Sequence, residues 1–333
     1  MTQPLVTVII TVYKRTEFLA EAVSSVLRQT FTSFEILVSD DANQVVTRAL
    51  CAKLNVAGRI RYRSNPCTLG TPLNIAAALR EARGKYIVIL NDDDLLEPQM
   101  LDQLVTPLER IPQAVLAFGN HRIMDRKGRE LAHQTVAGLR DHGHATLSAG
   151  LIEQPLEFAV RGGAMVAFGC VFRKEVCEVN WLVPQVADAY DYWLAVKLAE
   201  RGAFYFVPEY LMSWRQHENS ESARLSPERG VGVAYILTQV AALRLNENLR
   251  NYVTNRLAHA LYIRGSRFLA QGWNEREARE ILCRSLTTKW HAKAALAWLL
   301  TFVPARLRRL AFNLWRRVPR ELRTKADLGH RSM

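Results

Sequence analysis

Five short strand-like segments alternate with helix-like segments over the first 120 residues, and this alternation constrains the fold more than any other feature. Four of them are largely apolar, LVTVIITVY (5–13), FEILVSD (34–40), KYIVIL (85–90) and AVLAFG (114–119), and RIRYRS (59–64) has the pattern of an edge strand. Apolar residues at helical spacing predict helices over 17–30, 44–54, 71–83 and 98–110. Strands that alternate with helices of this length predict an α/β fold, a mostly parallel sheet with helices on both faces.

The pattern loosens after residue 120. A polar, Gly- and His-rich passage at 133–150 is interpreted as a mobile loop, and helices and strands then alternate over 153–162, 165–174, 189–202 and 203–217. Beyond about residue 225 only helical patterns remain, so an all-helical C-terminal region is expected. We therefore divide the chain into residues 1–120, 121–224 and 225–333.

Composition limits the partners and the compartment. The formal net charge is +12, which predicts an anionic partner such as nucleotide phosphates, nucleic acid or an acidic membrane surface. The five scattered cysteines form no CxxC pair, and this favours reduced thiols in the cytoplasm. The N-terminal MTQPLVTVII is interpreted as a strand rather than a signal peptide, and no apolar run approaches the roughly 18 residues of a membrane span.

Polar side chains follow three of the predicted strands at the point where each strand ends. Thr11 and Tyr13 close the first strand, Asp40 and Asp41 the second, and residues 91–94 (NDDD) follow the strand at 85–90. Open parallel sheets bind ligands at the carboxyl ends of their strands. We therefore expect these side chains to converge on a ligand.

The three aspartates at 92–94 indicate which ligand this is. Neither a GxGxxG nor a GxxxxGK[ST] phosphate cradle is present. A divalent cation held by carboxylates can neutralise a diphosphate instead, because Mg²⁺ and Mn²⁺ take carboxylate, phosphate and water oxygens. The structural alternative is that one aspartate caps the helix that begins near Pro98, and that Asp40 and Asp41 form Asx turns.

Three ordered motifs, VTVIITVYKR, SFEILVSDDA and GKYIVILNDDDLLEP, resemble the inverting family 2 glycosyltransferases with the GT-A fold. The resemblance covers roughly residues 4–220 and implies a nucleotide-sugar-binding half (1–120) and an acceptor and catalytic half (121–224). It places the nucleotide base and ribose against Thr11, Tyr13 and Asp41, with Asp92 near the ribose. It also makes Asp93 the metal ligand, with Mn²⁺ or Mg²⁺ as the cofactor.

The same resemblance assigns residues further along the chain. Asn65, Gly70 and Asn74 match a loop and helix near the nucleotide, and Asn91 stands where the family usually has an acid. The family often has an arginine at the position of Leu73, so Arg15 or Arg63 would have to supply that charge. Arg215 and His217 match a C-terminal Arg-x-His segment that reaches the diphosphate or the metal.

A catalytic base is expected in the segment QVADAYDYWLAVKLAERG. Asp188 and Asp191 lie three residues apart at the start of a predicted helix, so both could point the same way. Matching the Trp193 end of this segment to the family pattern puts Asp188 at the base position, and Asp188 is preferred over Asp191. The structural alternative is that Asp188 caps the helix.

The basic run at 298–320 carries six arginines and no acid, with Leu307, Leu310, Leu314 and Val318 on one predicted helix face. This pattern favours peripheral contact with a membrane at its inner, cytoplasmic face, and ordinary packing or an oligomer contact is the alternative. No module for nucleic-acid binding is recognised.

Together these features predict a hexosyltransferase-type enzyme (EC 2.4) that uses a nucleotide-diphosphate sugar, with UDP as the expected nucleotide. The acceptor would be a hydroxyl of a glycan or a lipid-linked molecule, as in bacterial cell-surface polysaccharide synthesis. The alternative is a non-catalytic protein that binds nucleotide sugars or glycans with a degenerate site.

Overall fold

The computed structural model describes residues 3–55, 58–167, 169–218, 220, 230–304 and 307. The chain divides into two compact units, residues 1–236 and 237–333. In the first unit, four neighbouring strands run parallel: β1 (Val6–Val12), β2 (Phe34–Asp40), β3 (Ile60–Ser64) and β4 (Tyr86–Asn91). β1 and β2 are buried almost throughout, as expected of parallel strands that are covered on both faces.

The register of these strands brings their polar ends level with one another. β1 lies between β2 and β4, where Val12 pairs with Asp40 and Thr11 pairs with Asn91. The residues that follow the strands therefore emerge at one edge of the sheet, as the sequence predicts.

The remaining strands continue the sheet with mixed direction: β5 (Leu95–Leu96), β6 (Ala114–Met124), β7 (Gly150–Ile152), β8 (Val171–Arg173) and β9 (Ala203–Arg215). The order across the sheet is β3-β2-β1-β4-β8-β6-β9-β5, and β7 pairs with β9. β8 is antiparallel to both β4 and β6, whereas the long pairing of β6 with β9 is parallel. The prediction of a mostly parallel α/β sheet is confirmed.

Four helices connect the parallel strands: α1 (Leu19–Leu27), α2 (Val45–Leu54), α3 (Thr71–Glu81) and α4 (Met100–Arg110). Each lies inside the range predicted for it. α3 begins directly after Gly70, whose φ of 84° suits glycine, and carries Pro72 in its first turn. The buried faces of α1 and α4 pack into the same core as β1, β2 and β4.

Two predictions for the middle of the chain are wrong. The passage 133–150 is not a loop throughout, because it contains most of a helix, α5 (Ala132–Asp141). Thr135 and Leu139 are its only buried residues, so little apolar periodicity marked it. The strand predicted at 165–174 is reduced to β8, Val171–Arg173. Two further helices, α6 (Pro155–Val160) and α7 (Tyr190–Ala199), fall within predicted ranges.

The C-terminal region is helical, as predicted: α8 (Val231–Ala241), α9 (Glu247–Gln271), α10 (Glu275–Thr288) and α11 (Ala292–Leu300). Side chains cap the last three helices, since Asn246, Asn274 and His291 accept a backbone N–H three residues ahead. In the described part of the chain, no helix combines the length and apolar character that a membrane crossing requires. Most of the basic run at 298–320, namely residues 305, 306 and 308–320, lies outside the described residues.

Candidate active site

The three adjacent aspartates at the end of β4 have different environments. Asp94 is fully buried, where its carboxylate accepts hydrogen bonds from the Arg215 backbone N–H (2.9 Å) and the Asn91 side-chain amide (3.0 Å). Asp92 and Asp93 instead share one guanidinium, because the same nitrogen of Arg15 lies 2.9 Å from Asp92 Oδ1 and 3.0 Å from Asp93 Oδ2. Asp94 is thus fixed by two hydrogen bonds, whereas Asp92 and Asp93 contact the long, partly exposed side chain of Arg15.

Burial sets the protonation of this cluster. Burial, reinforced by the charge of Asp93, raises the pKa of Asp92 to about 7, although Arg15 opposes the rise. Burial and the charge of Asp93 also raise the pKa of Asp94 well above its usual range. Asp92 and Asp94 therefore ionise less readily than exposed aspartates, because burial and a neighbouring carboxylate both disfavour the charged form.

His217 and Asp93, the two residues predicted to bind a metal, are in direct contact. Asp93 Oδ2 lies 3.1 Å from His217 Nε2, and Phe18 packs against the imidazole with ring centroids 5.1 Å apart. For a six-coordinate ion with bonds of about 2.1 Å, two adjacent ligand atoms lie about 3.0 Å apart. The observed separation is that of a hydrogen bond between the two side chains, and it is also compatible with a shared cation.

A pair of protein ligands suits a cation that completes its shell with phosphate and water oxygens. The nitrogen donor favours a transition-metal ion such as Mn²⁺ over Mg²⁺, which prefers oxygen. Among the residues that the structure describes, no cluster of three or more His, Cys, Asp or Glu side chains is arranged to hold a metal.

Arg215 is buried and supports the turn that carries Asp92, Asp93 and Asp94, which we call the aspartate turn, rather than facing open space. Its Nε donates to the Asp93 carbonyl oxygen (2.9 Å), and its terminal nitrogens contact the Arg126 carbonyl oxygen and the Glu21 carboxylate. The guanidinium also stacks over Phe18 at 4.4 Å from the ring centroid. These contacts favour a positioning role for Arg215 over the diphosphate contact that the sequence predicts.

The second polar cluster lies beyond the ends of β2 and β3. Asp41 accepts hydrogen bonds from the backbone N–H groups of Leu69 and Gly70 (2.9 and 2.8 Å) and from the Asn65 amide (2.7 Å). Asn65 also donates to Asn74 Oδ1 at 2.8 Å. The structure therefore brings the predicted nucleotide-binding residues Asp41, Asn65 and Asn74 together, where they order the loop before α3.

Asp40 and Asp41 have separate roles, although they are adjacent. Asp40 accepts hydrogen bonds from the backbone N–H groups of Ala42 and Gln44 and from the Tyr62 hydroxyl, which is an Asx-type turn. Thr11 is half-buried at the end of β1, and Tyr13 beyond it is 40% exposed. Tyr13 thus has a face open to a ligand at the same edge of the sheet.

Arg63 and Arg15, the two candidates for the missing positive charge, differ in their partners. Arg63 donates to Ser39, Asn65 and Glu81, so its guanidinium is used within the loop network. Arg15 donates to the Asp92 and Asp93 carboxylates, and it thus lies beside the predicted metal ligand Asp93. The position of Arg15 suits a diphosphate better.

Asp188 and Asp191 do not share a helix face, contrary to the sequence-based expectation. Asp188 is exposed in a short 3₁₀ segment, Pro184–Ala189, in which Ala187 has φ 44° and ψ −125°. α7 begins only at Tyr190 and has Ala189 as its N-cap, so Asp188 does not cap it. Asp191 lies in the first turn of α7 and is 8% exposed, and burial raises its pKa to about 6.

Tyr190 connects the start of α7 to the aspartate turn, a link that sequence reasoning missed. Its buried hydroxyl donates to Asn91 Oδ1 at 3.1 Å, and the Asn91 amide donates in turn to Asp94. Burial, followed by the charges of Asp191, Asp94 and Asp93, raises the pKa of Tyr190. An aromatic residue directly before a candidate base was the only sequence signal for this contact.

Three histidines form a second cluster that the sequence did not predict. His121 on β6, His142 and His144 lie with ring centroids 5.6–6.2 Å apart. The rings of His142 and His144 hydrogen bond to the carbonyl oxygens of Gly162 and Gly163. Burial lowers the pKa of His121 to about 3 and that of His144 to about 4, so both are neutral at physiological pH.

Comparison with known proteins gives a consistent family. The sequence model described as glycosyl transferase family 2 matches residues 7–181. An uncharacterized glycosyltransferase of Haemophilus influenzae is 26% identical over 230 residues, which cover 68% of this chain and 70% of that protein. A Rickettsia bellii protein, also described as an uncharacterized glycosyltransferase, is 26% identical over 230 residues, 67% of this chain but only 31% of its own length.

Solved structures show the same fold at low sequence identity. Staphylococcus aureus TarS 1-349 in complex with UDP-GlcNAc has a TM-score of 0.59 at 14% identity, covering 89% of this chain and 79% of that one. The mannosyltransferase PcManGT from Pyrobaculum calidifontis, in complex with GDP-Man and Mn²⁺, has a TM-score of 0.56 at 16% identity, covering 92% and 83%.

Proposed function

The chain belongs to glycosyl transferase family 2, and from this premise we propose that it transfers a hexosyl group from a nucleotide-diphosphate sugar to an acceptor hydroxyl, with inversion. The observation that carries the proposal is the Asp93–His217 pair beside Arg15, at the sheet edge where Asp41, Asn65 and Tyr13 also lie. A cytoplasmic location stays a prediction.

The donor is proposed to be a UDP-sugar whose uridine occupies the edge formed by Thr11, Tyr13 and the loop that Asp41 orders. The acceptor is proposed to be a glycan or a lipid-linked molecule of cell-surface polysaccharide synthesis. Among the structural neighbours, TarS is described with UDP-GlcNAc and PcManGT with GDP-Man. These descriptions support a nucleotide-diphosphate sugar as the class of donor.

Asp93 and His217 would hold the cation, with Mn²⁺ favoured by the nitrogen donor. When bound, such a cation stabilises the negative charge that develops on the departing diphosphate. Arg15 is proposed to contact that diphosphate from the position it now occupies between Asp92 and Asp93. Arg215 keeps the aspartate turn in place through the Asp93 carbonyl oxygen.

Asp191 is proposed as the general base in place of Asp188. A base must bind the acceptor proton, and burial makes the Asp191 carboxylate more basic than that of an exposed aspartate. With a pKa of about 6, roughly nine-tenths of the Asp191 carboxylates remain ionised at pH 7. The proposal is supported by the Tyr190–Asn91 hydrogen bond, which holds the first turn of α7, where Asp191 lies, against the aspartate turn.

The test is nucleotide release by purified protein supplied with nucleotide sugars and candidate acceptors, with and without EDTA. Turnover should depend on Mn²⁺, and Asp93→Ala should lower kcat by at least about 10²-fold because charge stabilisation of the leaving group is lost. Asp102→Ala, at an exposed acid of α4, is the matched control and should behave as wild type. Full turnover of Asp93→Ala, or of the wild type in EDTA, would refute the metal role.

A non-catalytic protein that binds nucleotide sugars is the second candidate. Its sequence support was Asn91 and Leu73. The Asn91 side chain, however, has a defined use in linking Tyr190 to Asp94. Calorimetry, combined with the nucleotide-release assay, separates an enzyme from a binding protein. A degenerate site would bind nucleotides tightly but catalyse no release of nucleotide from any donor sugar with any acceptor. A thermal-shift screen of nucleotides would identify the donor base, since ligands that bind the native state raise its apparent stability.

A further inference from the structure

The net positive charge of the protein resides in its C-terminal unit. Residues 237–333 contain 19 of the 44 Lys and Arg residues but only 6 of the 32 Asp and Glu residues. Residues 1–236 are therefore close to neutral, with one more acidic than basic residue. The asymmetry is sharpest between Glu280 and Glu321, where nine Lys and Arg residues occur and no acid.

Exposed apolar side chains are concentrated in the same unit. Six of the eleven large hydrophobic residues that are exposed in the described part of the chain lie beyond residue 237. Five of these six occur between residues 290 and 307, and we call them the α11 surface: Trp290, Leu296, Leu299, Phe302 and Leu307. Trp290 is 71% exposed and the other four are 56–61% exposed.

The local geometry explains why three of these residues, Leu296, Leu299 and Phe302, lie next to one another. α11 turns Ala294 and Ala297 into the unit, so that Leu296 and Leu299, three residues apart, lie together on its outer side. Phe302 continues this row three residues later. Arg279 fixes the end of the helix by donating to Thr301 and stacking over Phe302 at 4.1 Å from the ring centroid.

We propose that the α11 surface docks onto an anionic lipid bilayer, with Trp290, Leu296, Leu299 and Phe302 in the interfacial layer and the surrounding basic residues at the headgroups. Aromatic and aliphatic side chains flanked by Lys and Arg are the composition that interfacial binding requires. The proposal rests on the described helix α11, and it is independent of the transfer reaction proposed for the first unit.

Charge and side-chain type favour a bilayer over other occupants. Exposed Leu and Phe side chains contribute nothing to phosphate-backbone binding, which Lys and Arg carry, so nucleic acid leaves this surface unexplained. A second copy would bring together two strongly basic units, which repel each other. Residues 308–333 are themselves basic, with eight Lys and Arg against two acids, and offer this unit no complementary charge.

The experiment is vesicle co-sedimentation of the full chain with phosphatidylcholine alone and with phosphatidylcholine plus phosphatidylglycerol. The protein should pellet with the anionic vesicles, less so at high salt, and hardly with neutral vesicles. The triple variant Leu296→Ser/Leu299→Ser/Phe302→Ser should bind at least about tenfold more weakly, because three apolar insertions are lost.

A matched triple variant, Val45→Ser/Val136→Ser/Leu151→Ser, removes exposed apolar side chains from the first unit and should bind vesicles as wild type does. The tryptophan emission of the wild type should shift to shorter wavelength on binding, and Trp290→Phe should lose this shift while Trp273→Phe retains it. Both readouts are independent of glycosyl transfer, and circular dichroism checks that each variant is folded.

The proposal is overturned if the wild type stays in the supernatant with anionic vesicles, or if the α11 triple variant binds them as tightly as wild type. It is also overturned if the α11 variant instead changes the mass at sedimentation equilibrium, which would assign the surface to a second copy. Binding to a single-stranded oligonucleotide without binding to vesicles would assign it to nucleic acid.

Discussion

The Tyr190 hydroxyl donates a hydrogen bond to Asn91 Oδ1 at 3.1 Å, and this contact joins the first turn of α7 to the end of β4. The Asn91 amide donates in turn to Asp94. The Asn91 side chain therefore accepts a hydrogen bond from Tyr190 on α7 and donates one to Asp94. An asparagine can do both, whereas an ionised aspartate can only accept. The amide at position 91 is therefore explained by its neighbours rather than by metal binding.

Replacement of Asn91 by aspartate tests this explanation. Asn91→Asp would place a second carboxylate about 3 Å from the buried Asp94, so like charges and a lost donor should destabilise the fold by about 1–3 kcal/mol. We expect a lower urea midpoint and a lower kcat. Tyr190→Phe, which removes only the hydroxyl, should produce a smaller loss of both. An Asn91→Asp variant with wild-type stability and tighter Mn²⁺ binding would contradict the assignment and make position 91 a ligand.

The pH profile of kcat/KM should separate Asp191 from Asp188. Asp191→Asn should lower kcat by about 10²–10⁴-fold, the usual worth of a general base, whereas Asp188→Asn should retain most activity. A base must be ionised, so kcat/KM should fall as the pH falls through the Asp191 pKa of about 6. The profile of Asp188→Asn should keep this acidic limb. Loss of activity in Asp188→Asn with an intact Asp191→Asn would restore the sequence-based choice.

Much of the fold could be predicted because its central strands are buried on both faces. β1, β2 and β4 are largely apolar and buried almost throughout, and their common register follows from the parallel pairing. The helix over 132–141 escaped prediction because only Thr135 and Leu139 are buried on it. Where the packed surface of an element is this small, its sequence carries little periodic signal.

The site was predictable as a set of strand ends, but the separate roles of its residues were not. Asp92, Asp93 and Asp94 are equivalent in sequence, and Asp94 differs because the Asn91 amide and the backbone N–H of Arg215, 121 residues later, both donate to its carboxylate. The sequence favoured Asp188 over Asp191, because no local pattern shows that α7 begins only at Tyr190 and leaves Asp188 in the exposed 3₁₀ segment before it. Both distinctions depend on tertiary contacts that no local pattern encodes.

Arg15→Gln should weaken donor binding, whereas Arg63→Gln should lower the stability of the protein. Arg15 contacts Asp93, the proposed metal ligand, so its loss should raise KM for the donor sugar by about tenfold, the worth of one charge-assisted hydrogen bond. Arg63 supports the Ser39, Asn65 and Glu81 network, so Arg63→Gln should lower the melting temperature instead. Donor titrations and thermal melts of both variants check this. If only Arg63→Gln raised the donor KM, Arg63 rather than Arg15 would supply the positive charge that Leu73 lacks.

The histidine cluster should make the protein sensitive to acid. Burial depresses the folded-state pKa of His121 to about 3 and that of His144 to about 4, whereas an unfolded histidine titrates near 6.5. The stability that these neutral rings provide is therefore fully present above pH 6.5 and is lost as the pH falls toward 4, by up to a few kcal/mol in total. Urea unfolding at pH 7.5 and pH 5 measures the loss. His144→Asn should reduce the difference between the two pH values, even if it lowers stability at both. An unchanged difference in that variant would show that other groups cause the acid sensitivity.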